Sequence, residues 1–580
     1  ENARVMDADD IEGMVEAYVQ AARRAVEAGF DAVEIHGAHG YLINQFMSPL
    51  TNLREDAYGG SFENRMRFPL EVLRAVRKQV GPDFPILFRY SMEEFMPGGI
   101  DMEQAVRIAK VMADNGVDML NVSIGIGESV EYIIPPASVP DGWNADRAAA
   151  IKRAVGSRIP VAVVGRICNR KTAENIIASG KADLVAMGRA LLADPFLSAK
   201  LAEGRDDEIL TCIGCNEGCT GMLNECRPIS CALNPRTGYE DDYPMTQADA
   251  PKAVVVIGGG PAGCEAALTA AQRGHKVVLF EATSTLGGLA NIAALPPGKG
   301  VFATLGTYFS TMLPRAGVDV RLNTKADADA VRALHPDHVI VATGGTPIVP
   351  RFCADSPVVL AQDILTGAAQ AGSRVLVIGG GLVGSETAEF LADKGREVTV
   401  VELRDGIALD MEYKTRQMLM PKLAALGVVF LTETEVLEIG CNGNVKVKTP
   451  YLEKELSGFD TVVVALGYRP DAALCADLAA AASLPGIVVE LFGVKALWIA
   501  CVIGYLACFA SLNIYIQSFA RLVWSQALYR PDNRLARLSK RQLPLNALNA
   551  VLGCCMVSTL CIYALKINLD ALIVYANGIF

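Results

Sequence analysis

The run Val254-Val-Val-Ile-Gly-Gly-Gly-Pro-Ala-Gly263 recurs as Val375-Leu-Val-Ile-Gly-Gly-Gly-Leu-Val-Gly384, 121 residues later, and Glu281 and Glu402 keep the same offset. Each run reads as an apolar strand turning through glycines into a helix, with an acid about 20 residues on. The glycines permit the tight turn, the helix N-terminus faces a pyrophosphate, and the acid takes ribose hydroxyls. One such fingerprint is a weak signal. Two in register commit this half of the chain to two dinucleotide-binding folds, one nested in the other. Gly258, Gly260, Gly263 and Glu281 form one candidate site; Gly379, Gly381, Gly384 and Glu402 form the second.

The first 200 residues carry a different rhythm. Short apolar runs at 31–36, 84–90, 119–123, 159–164 and 182–187 alternate with helical patterns, as in a barrel or a wound α/β sheet. Five strands are legible where a closed barrel has eight. Candidate chemistry follows the strand ends, where barrel enzymes carry their sites. His36 and His39 are two of only five histidines, and Tyr41 shares their loop. Imidazoles can hold a carbonyl oxygen and a phenol can deliver a proton; a His-x-x-His metal pair and ordinary loop histidines remain open beside that reading. Gly165-Arg166 and Gly188-Arg189 each follow a late strand. A glycine there lets backbone approach a phosphate and an arginine binds it.

Between the halves lie Cys212, Cys215 and Cys219 in a CxxCxxxC run, with Cys231 beyond. Four thiolates at such spacing suit a tetrahedral zinc or a cubane iron-sulfur cluster. Cys226 lacks the spacing and reads as a bystander.

The net charge of −11 argues against a nucleic-acid partner, and the fifteen cysteines spread through a long chain fit a reducing cytoplasm for residues 1–485. The charge is uneven. From Gly486 onward eight Lys and Arg face three acids, and the stretches 496–520 and 543–565 hold no charge at all. Each is long enough to cross a bilayer as a helix, and the basic residues between them read as the cytoplasmic side. The expectation is a membrane tail with contact through residues 496–565.

The motifs His36-Gly-Ala-His-Gly-Tyr-Leu-Ile-Asn-Gln-Phe46, Asn52-Leu-Arg-Glu-Asp-Ala-Tyr-Gly-Gly60 and Glu63-Asn-Arg65 resemble the old yellow enzyme class of FMN-dependent barrels. Through the cysteine run and the nucleotide folds, the chain resembles the multidomain branch of that class, over about residues 1 to 475. That branch includes 2,4-dienoyl-CoA reductase, enoate reductase, bile-acid dienoate reductases and trimethylamine dehydrogenase. The resemblance implies that His36 and His39 bind a substrate carbonyl, Tyr41 donates a proton, and Arg89 faces the flavin pyrimidine edge. Gly165, Arg166, Gly188 and Arg189 would hold the FMN phosphate, and Cys212, Cys215, Cys219 and Cys231 a 4Fe-4S cluster. Gly287-Gly288, 339–344 and 461–467 resemble FAD-domain landmarks, so Gly258, Gly260, Gly263, Glu281 and Gly288 are expected to take FAD and the second fingerprint NAD(P)H. The acid at Glu402 favours NAD by repelling a 2′-phosphate, and Arg404 leaves room for NADP.

The family's first three barrel strands and its late Gly-Asp motif have no counterpart here, and the segment 123–130 carries no second catalytic histidine, which favours an enoate over a fatty acyl-CoA. The tail, with Asn513-Ile-Tyr and 538–547, resembles a middle piece of an amino-acid permease. The expected architecture is therefore α/β: a partial FMN barrel (1–204), an iron-sulfur segment (205–250), an FAD domain (251–372 and 461–485) enclosing an NAD domain (373–460), and a permease-like fragment (486–580). The expected activity is NADH-dependent reduction of an activated C=C bond in a small unsaturated acid, with electrons passing from NADH through FAD and the cluster to FMN. An amine dehydrogenase and a non-functional fusion of two truncated genes are the alternatives, and a homo-oligomer is compatible with either enzyme.

Overall fold

The computed structural model describes residues 4–353, 356–440 and 443–482. Glu1–Asp471 form one unit; of the second, which begins at Ala472, the described part is the helix Ala473–Ala482. The tail from residue 486, with its two uncharged stretches, lies outside the described residues. Among the described residues no helix is long and apolar enough to cross a membrane.

The first part is a parallel sheet of five strands in sequential order: β1 (Val33–Gly37), β2 (Ile86–Ser91), β3 (Met119–Ser123), β4 (Val161–Val164) and β5 (Leu184–Ala186). The sequence dictates the helices between them through their caps. Asp7 and Asp10 form a reciprocal capping box at the start of Ala8–Glu27, Asp101 caps Met102–Asp114, and Asn169 caps Arg170–Ala178. Each such cap is worth about 1 kcal/mol. The helix Arg67–Val80 turns Phe68, Val72, Leu73 and Val76 onto one face, all fully buried. They meet Ile86, Phe88 and Tyr90 of β2 in one core. Burial of each such side chain contributes about 2 kcal/mol.

Because side chains alternate along a strand, burying Ile86, Phe88 and Tyr90 sends Arg89 to the opposite face. Register then aligns His36 with Arg89, and Arg89 with Asn121. One row of polar groups thus crosses the inner face of the sheet.

The second part contains two parallel sheets. The first runs β8 (Asp319–Arg321), β7 (Lys276–Phe280), β6 (Ala253–Ile257), β9 (His338–Val341). A short antiparallel pair follows, β10 (Gly345–Pro347) with β19 (Tyr468–Pro470). The second sheet is ordered β11 (Val358–Leu360), β18 (Thr461–Val464), β12 (Arg374–Ile378), β13 (Glu397–Val401), β14 (Val429–Leu431). An antiparallel meander of β15 (Glu435–Ile439), β16 (Val445–Lys448) and β17 (Glu453–Leu456) inserts before β18.

This topology corrects two boundaries. The stretches 358–360 and 461–467 were expected in the FAD domain, yet β11 and β18 pair with each other, and β18 with β12, in the second sheet. Val462, Val463 and Val464 are buried there, and β9 plays the same closing part in the first sheet. Each fingerprint has its own closing strand, and two apolar parallel strands ending in glycine look alike in sequence. The chain returns to the outer fold only at β19.

Candidate functional site

At the C-terminal ends of the barrel strands, a cavity of about 470 Å³ is lined by His39, Tyr41, Arg89, Gly165, Gly188 and Arg189, among others. The loop after β1 is pinned by a fully buried acid. Glu94 accepts hydrogen bonds from Asn44 Nδ2 and Ser48 Oγ at 2.7 Å and from the Ile100 amide at 2.9 Å. That anchors the helix Leu42–Met47, of which Tyr41 is the N-cap residue, and leaves Tyr41 62 % exposed at the cavity. The rings of His36 and His39 are 5.1 Å apart, and those of His36 and Tyr41 5.2 Å. His39 takes a left-handed backbone (φ 63°), its amide donates to Ser91 Oγ, and its Nε2 lies 2.8 Å from Ser123 Oγ.

Burial, followed by the positive charge of Arg89 and by His36, pushes His39 down to about 3. His36 is lowered by burial and Arg89 against a smaller upward pull from Glu34. His39 therefore acts as a neutral imidazole at physiological pH. The Arg89 Nε is buried and has no hydrogen-bond partner among the described residues.

The two arginines expected at a phosphate have other work in this structure. Arg166 bonds Asp141 through Nε at 2.9 Å and the Pro136 carbonyl through Nη1 at 2.9 Å. Arg189 Nη1 reaches the Pro135 carbonyl at 2.8 Å and Asn216 Oδ1 at 2.5 Å. Arg189 thereby sits between this cavity and the cysteine segment.

Cys212, Cys215, Cys219 and Cys231 line a second, small cavity together with Arg189 and Asn216. The fourth thiol is brought in by a glycine. A Cβ on Gly218 would stand 2.9 Å from Ser230 Oγ and 3.0 Å from the Cys231 backbone, so a side chain there would push that segment away. The Ser230 amide donates to the Gly218 carbonyl at 2.7 Å. Among the described residues no three His, Cys, Asp or Glu are arranged to hold a single metal ion. The thiols surround a space instead. Cys226 is exposed and stands outside it, as its spacing predicted. Sequence spacing missed Cys168, which lines the barrel cavity; its thiol beside Cys212, and after it the positive charge of Arg189, draw the Cys212 thiol below its ordinary value against the effect of burial.

Both fingerprints form the expected strand–turn–helix. A Cβ on Gly263 would lie 1.9 Å from the Gly258 carbonyl, and one on Gly384 1.8 Å from that of Gly379. No other residue fits these crossings. Glu281 accepts from the Gly259 amide at 2.7 Å and Glu402 from the Gly380 amide at 2.6 Å, so each acid also braces its own loop.

A third cavity, of about 270 Å³, lies where the cysteine segment meets both nucleotide folds, walled by Cys215, Ala293, Pro297, Lys299, Leu382 and Glu386. Lys299 and Glu386 join across it at 2.6 Å, a tertiary contact with no signature in sequence. A second buried pair bridges the parts. Lys414, at the start of the helix Tyr413–Ala425, is 1 % exposed, donates to Thr220 Oγ1 at 2.7 Å and lies 3.4 Å from Glu412.

Residues 1–208 match the model of the NADH:flavin oxidoreductase / NADH oxidase family, and residues 252–494 that of pyridine nucleotide-disulphide oxidoreductases. An NADH oxidase of Thermoanaerobacter brockii is 45 % identical over 476 residues, 80 % of this chain and 72 % of that protein. The chain belongs to the NADH:flavin oxidoreductase / NADH oxidase family. Cinnamate reductase of Clostridium sporogenes is 37 % identical over 419 residues, 70 % of this chain and 63 % of that enzyme. A 2-naphthoyl-CoA reductase complex superposes with a TM-score of 0.79 at 34 % identity, covering 82 % of this chain and 73 % of that one. The C-terminal part is similar to an L-methionine/branched-chain amino acid exporter of Escherichia coli, 82 % identical over 103 residues, 18 % of this chain and 25 % of the exporter.

As a member of this family the protein is an oxidoreductase with an FMN-binding barrel domain and a pyridine nucleotide oxidoreductase domain. Its residues fit the groups such domains carry. The unpartnered Arg89 Nε offers a donor to a flavin edge, and the space beside Gly188 is open to 4 Å. Four thiols around a space suit a cluster whose irons and sulfides occupy volume. Open space at Gly260 beside the crossing at Gly263 suits a pyrophosphate on the first fingerprint.

Proposed function

We propose that this chain carries out NADH-dependent reduction of an activated C=C bond in a small unsaturated acid: an enoate, a dienoate or an unsaturated steroid acid. The observation that carries the reading is the sharing of walls. Cys215 belongs both to the cavity between the nucleotide folds and to the cysteine cavity, and Arg189 belongs both to the cysteine cavity and to the barrel cavity. That succession supports a relay from a nucleotide site to an alkene site. When bound, the flavins and a 4Fe-4S cluster supply hydride acceptance from NADH, single-electron passage and hydride delivery to the alkene.

The chain's own side chains do the rest. His36 and His39, held neutral, donate to the carbonyl oxygen of the acid and stabilise charge as it develops there. Tyr41, at the mouth of the cavity, delivers the proton to the α-carbon. Arg89 would hold the pyrimidine edge of FMN, Gly165, Arg166, Gly188 and Arg189 would frame its phosphate, and Cys212, Cys215, Cys219 and Cys231 would ligate the cluster. Gly258, Gly260, Gly263, Glu281 and Gly288 would hold FAD, and Gly379, Gly381, Gly384 and Glu402 the nicotinamide nucleotide. The tail is read as an exporter-like segment joined to the reductase.

The test is anaerobic expression of the full chain, assay of flavin and iron, and NADH consumption with cinnamate as probe. Tyr41→Phe is expected to leave NADH oxidation by an artificial acceptor intact and to slow alkene reduction about 100-fold or more. Absence of flavin and iron, or an unchanged alkene rate in the variant, would sink the reading. Flavin bleaching by an amine without NADH would favour an amine dehydrogenase instead.

A further inference from the structure

The two nucleotide-binding turns are copies well beyond their glycines. In the first, the Gly287 amide donates to the Gly259 carbonyl at 2.8 Å, and Leu286 packs over Gly259. In the second, the Ala408 amide donates to the Gly380 carbonyl at 2.6 Å, and Ile407 packs over Gly380. All three pairs keep the 121-residue offset. Ala408 even retains a left-handed backbone (φ 52°) where the first copy has glycine (φ 111°). Such a conformation costs a non-glycine residue about 1 kcal/mol or more, so the second loop preserves the turn against a local penalty.

At the second fingerprint glycine the copies diverge. Beside Gly260 the space a side chain would take is open to 4 Å. Beside Gly381 the same space holds Asp410, whose Oδ2 is 3.0 Å from the Cβ position. Asp410 Oδ1 accepts the amide of Leu382, the first residue of the helix Leu382–Ala392, at 2.8 Å. The counterpart of Asp410 in the first copy is Leu289, 42 % exposed.

Helix-start amides and the positive end of the helix dipole are what draw a pyrophosphate to a fingerprint. In the second copy a carboxylate of this chain already sits on them. We propose that Asp410 is a built-in competitor for the pyrophosphate of the nicotinamide nucleotide, keeping that nucleotide an exchanging co-substrate while the first copy, which has no such acid, retains FAD. This rests on the assignment of FAD to the first fingerprint and the nicotinamide nucleotide to the second. The chemistry requires the asymmetry. FAD must stay through every turnover, whereas NADH must enter and NAD+ leave in each one.

The substitution Asp410→Asn isolates the charge, since asparagine caps a helix as well as aspartate does. NAD+ binding to the full-length, flavin-loaded protein is measured by calorimetry at low and moderate salt. Asp410→Asn is expected to bind about tenfold tighter at low salt, with the gain shrinking as salt rises. The reciprocal Leu289→Asp is expected to lower the FAD retained through gel filtration. If the wild-type protein binds no NAD+ at all, the nucleotide assignment beneath the proposal falls. If the wild type binds and Asp410→Asn, with unchanged melting and flavin content, binds equally or more weakly, the competitor role is overturned and Asp410 is a helix cap alone.

Discussion

His39 is the side chain whose ionisation the fold changes most usefully. Its ordinary value near 6.5 falls to about 3 because burial and the neighbouring Arg89 both disfavour the imidazolium. Above the ordinary value both folded and unfolded chains hold it neutral, so it makes no pH-dependent contribution. Below it the unfolded chain takes up a proton that the folded chain refuses, and stability falls as pH drops from 6.5 towards 3. At pH 5 the loss is about 2 kcal/mol. Chemical denaturation of wild type and His39→Gln at pH 7 and pH 5 checks this: the variant should lose less stability between the two, and parallel losses would refute the assignment. His39 itself was legible from the His-x-x-His loop, and its neutrality was not, because that depends on Arg89 standing beside it from another strand. Glu94 was missed for the same reason: two of its three partners, Asn44 and Ser48, belong to a distant segment that only folding brings to it.

At the scale of elements, local steric rules were legible and long-range partners were not. The crossings at Gly263 and Gly384 are written in the motif because only glycine fits, and the structure realises both. Cys212, Cys215 and Cys219 were found by spacing, with Cys231 as a more distant fourth thiol; the structure supplies a physical reason for its approach, the close pass of Gly218 against Ser230 and Cys231. Gly218→Val is therefore expected to displace the fourth ligand and to lower iron per protein to less than half of wild type after anaerobic reconstitution, while flavin content holds. Full iron retention would show that Cys231 is not brought in this way. The strand β18 was misassigned because a buried parallel strand announces its burial and not its neighbours.

At the scale of the molecule, the nesting of one nucleotide fold in another followed from the order of motifs, whereas the joints between parts did not. The Glu412–Lys414 pair from the second fold is buried against Thr220, the residue after Cys219. Removing one member of a buried pair leaves an uncompensated charge and costs about 3–5 kcal/mol, while replacing both with neutral groups of similar shape costs far less. Lys414→Met alone is expected to lower the denaturation midpoint strongly, and Glu412→Gln with Lys414→Met to recover most of it. A double variant no better than the single would show that the two charges do not compensate each other.

The lysine anchored on Thr220 also limits how this machine can move. A rigid-body swing of the second nucleotide fold would pull a buried ammonium and its carboxylate away from Thr220. The lysine thus ties that fold to the segment that carries Cys219, and movement around the second fingerprint is left to loops such as the one that carries Asp410.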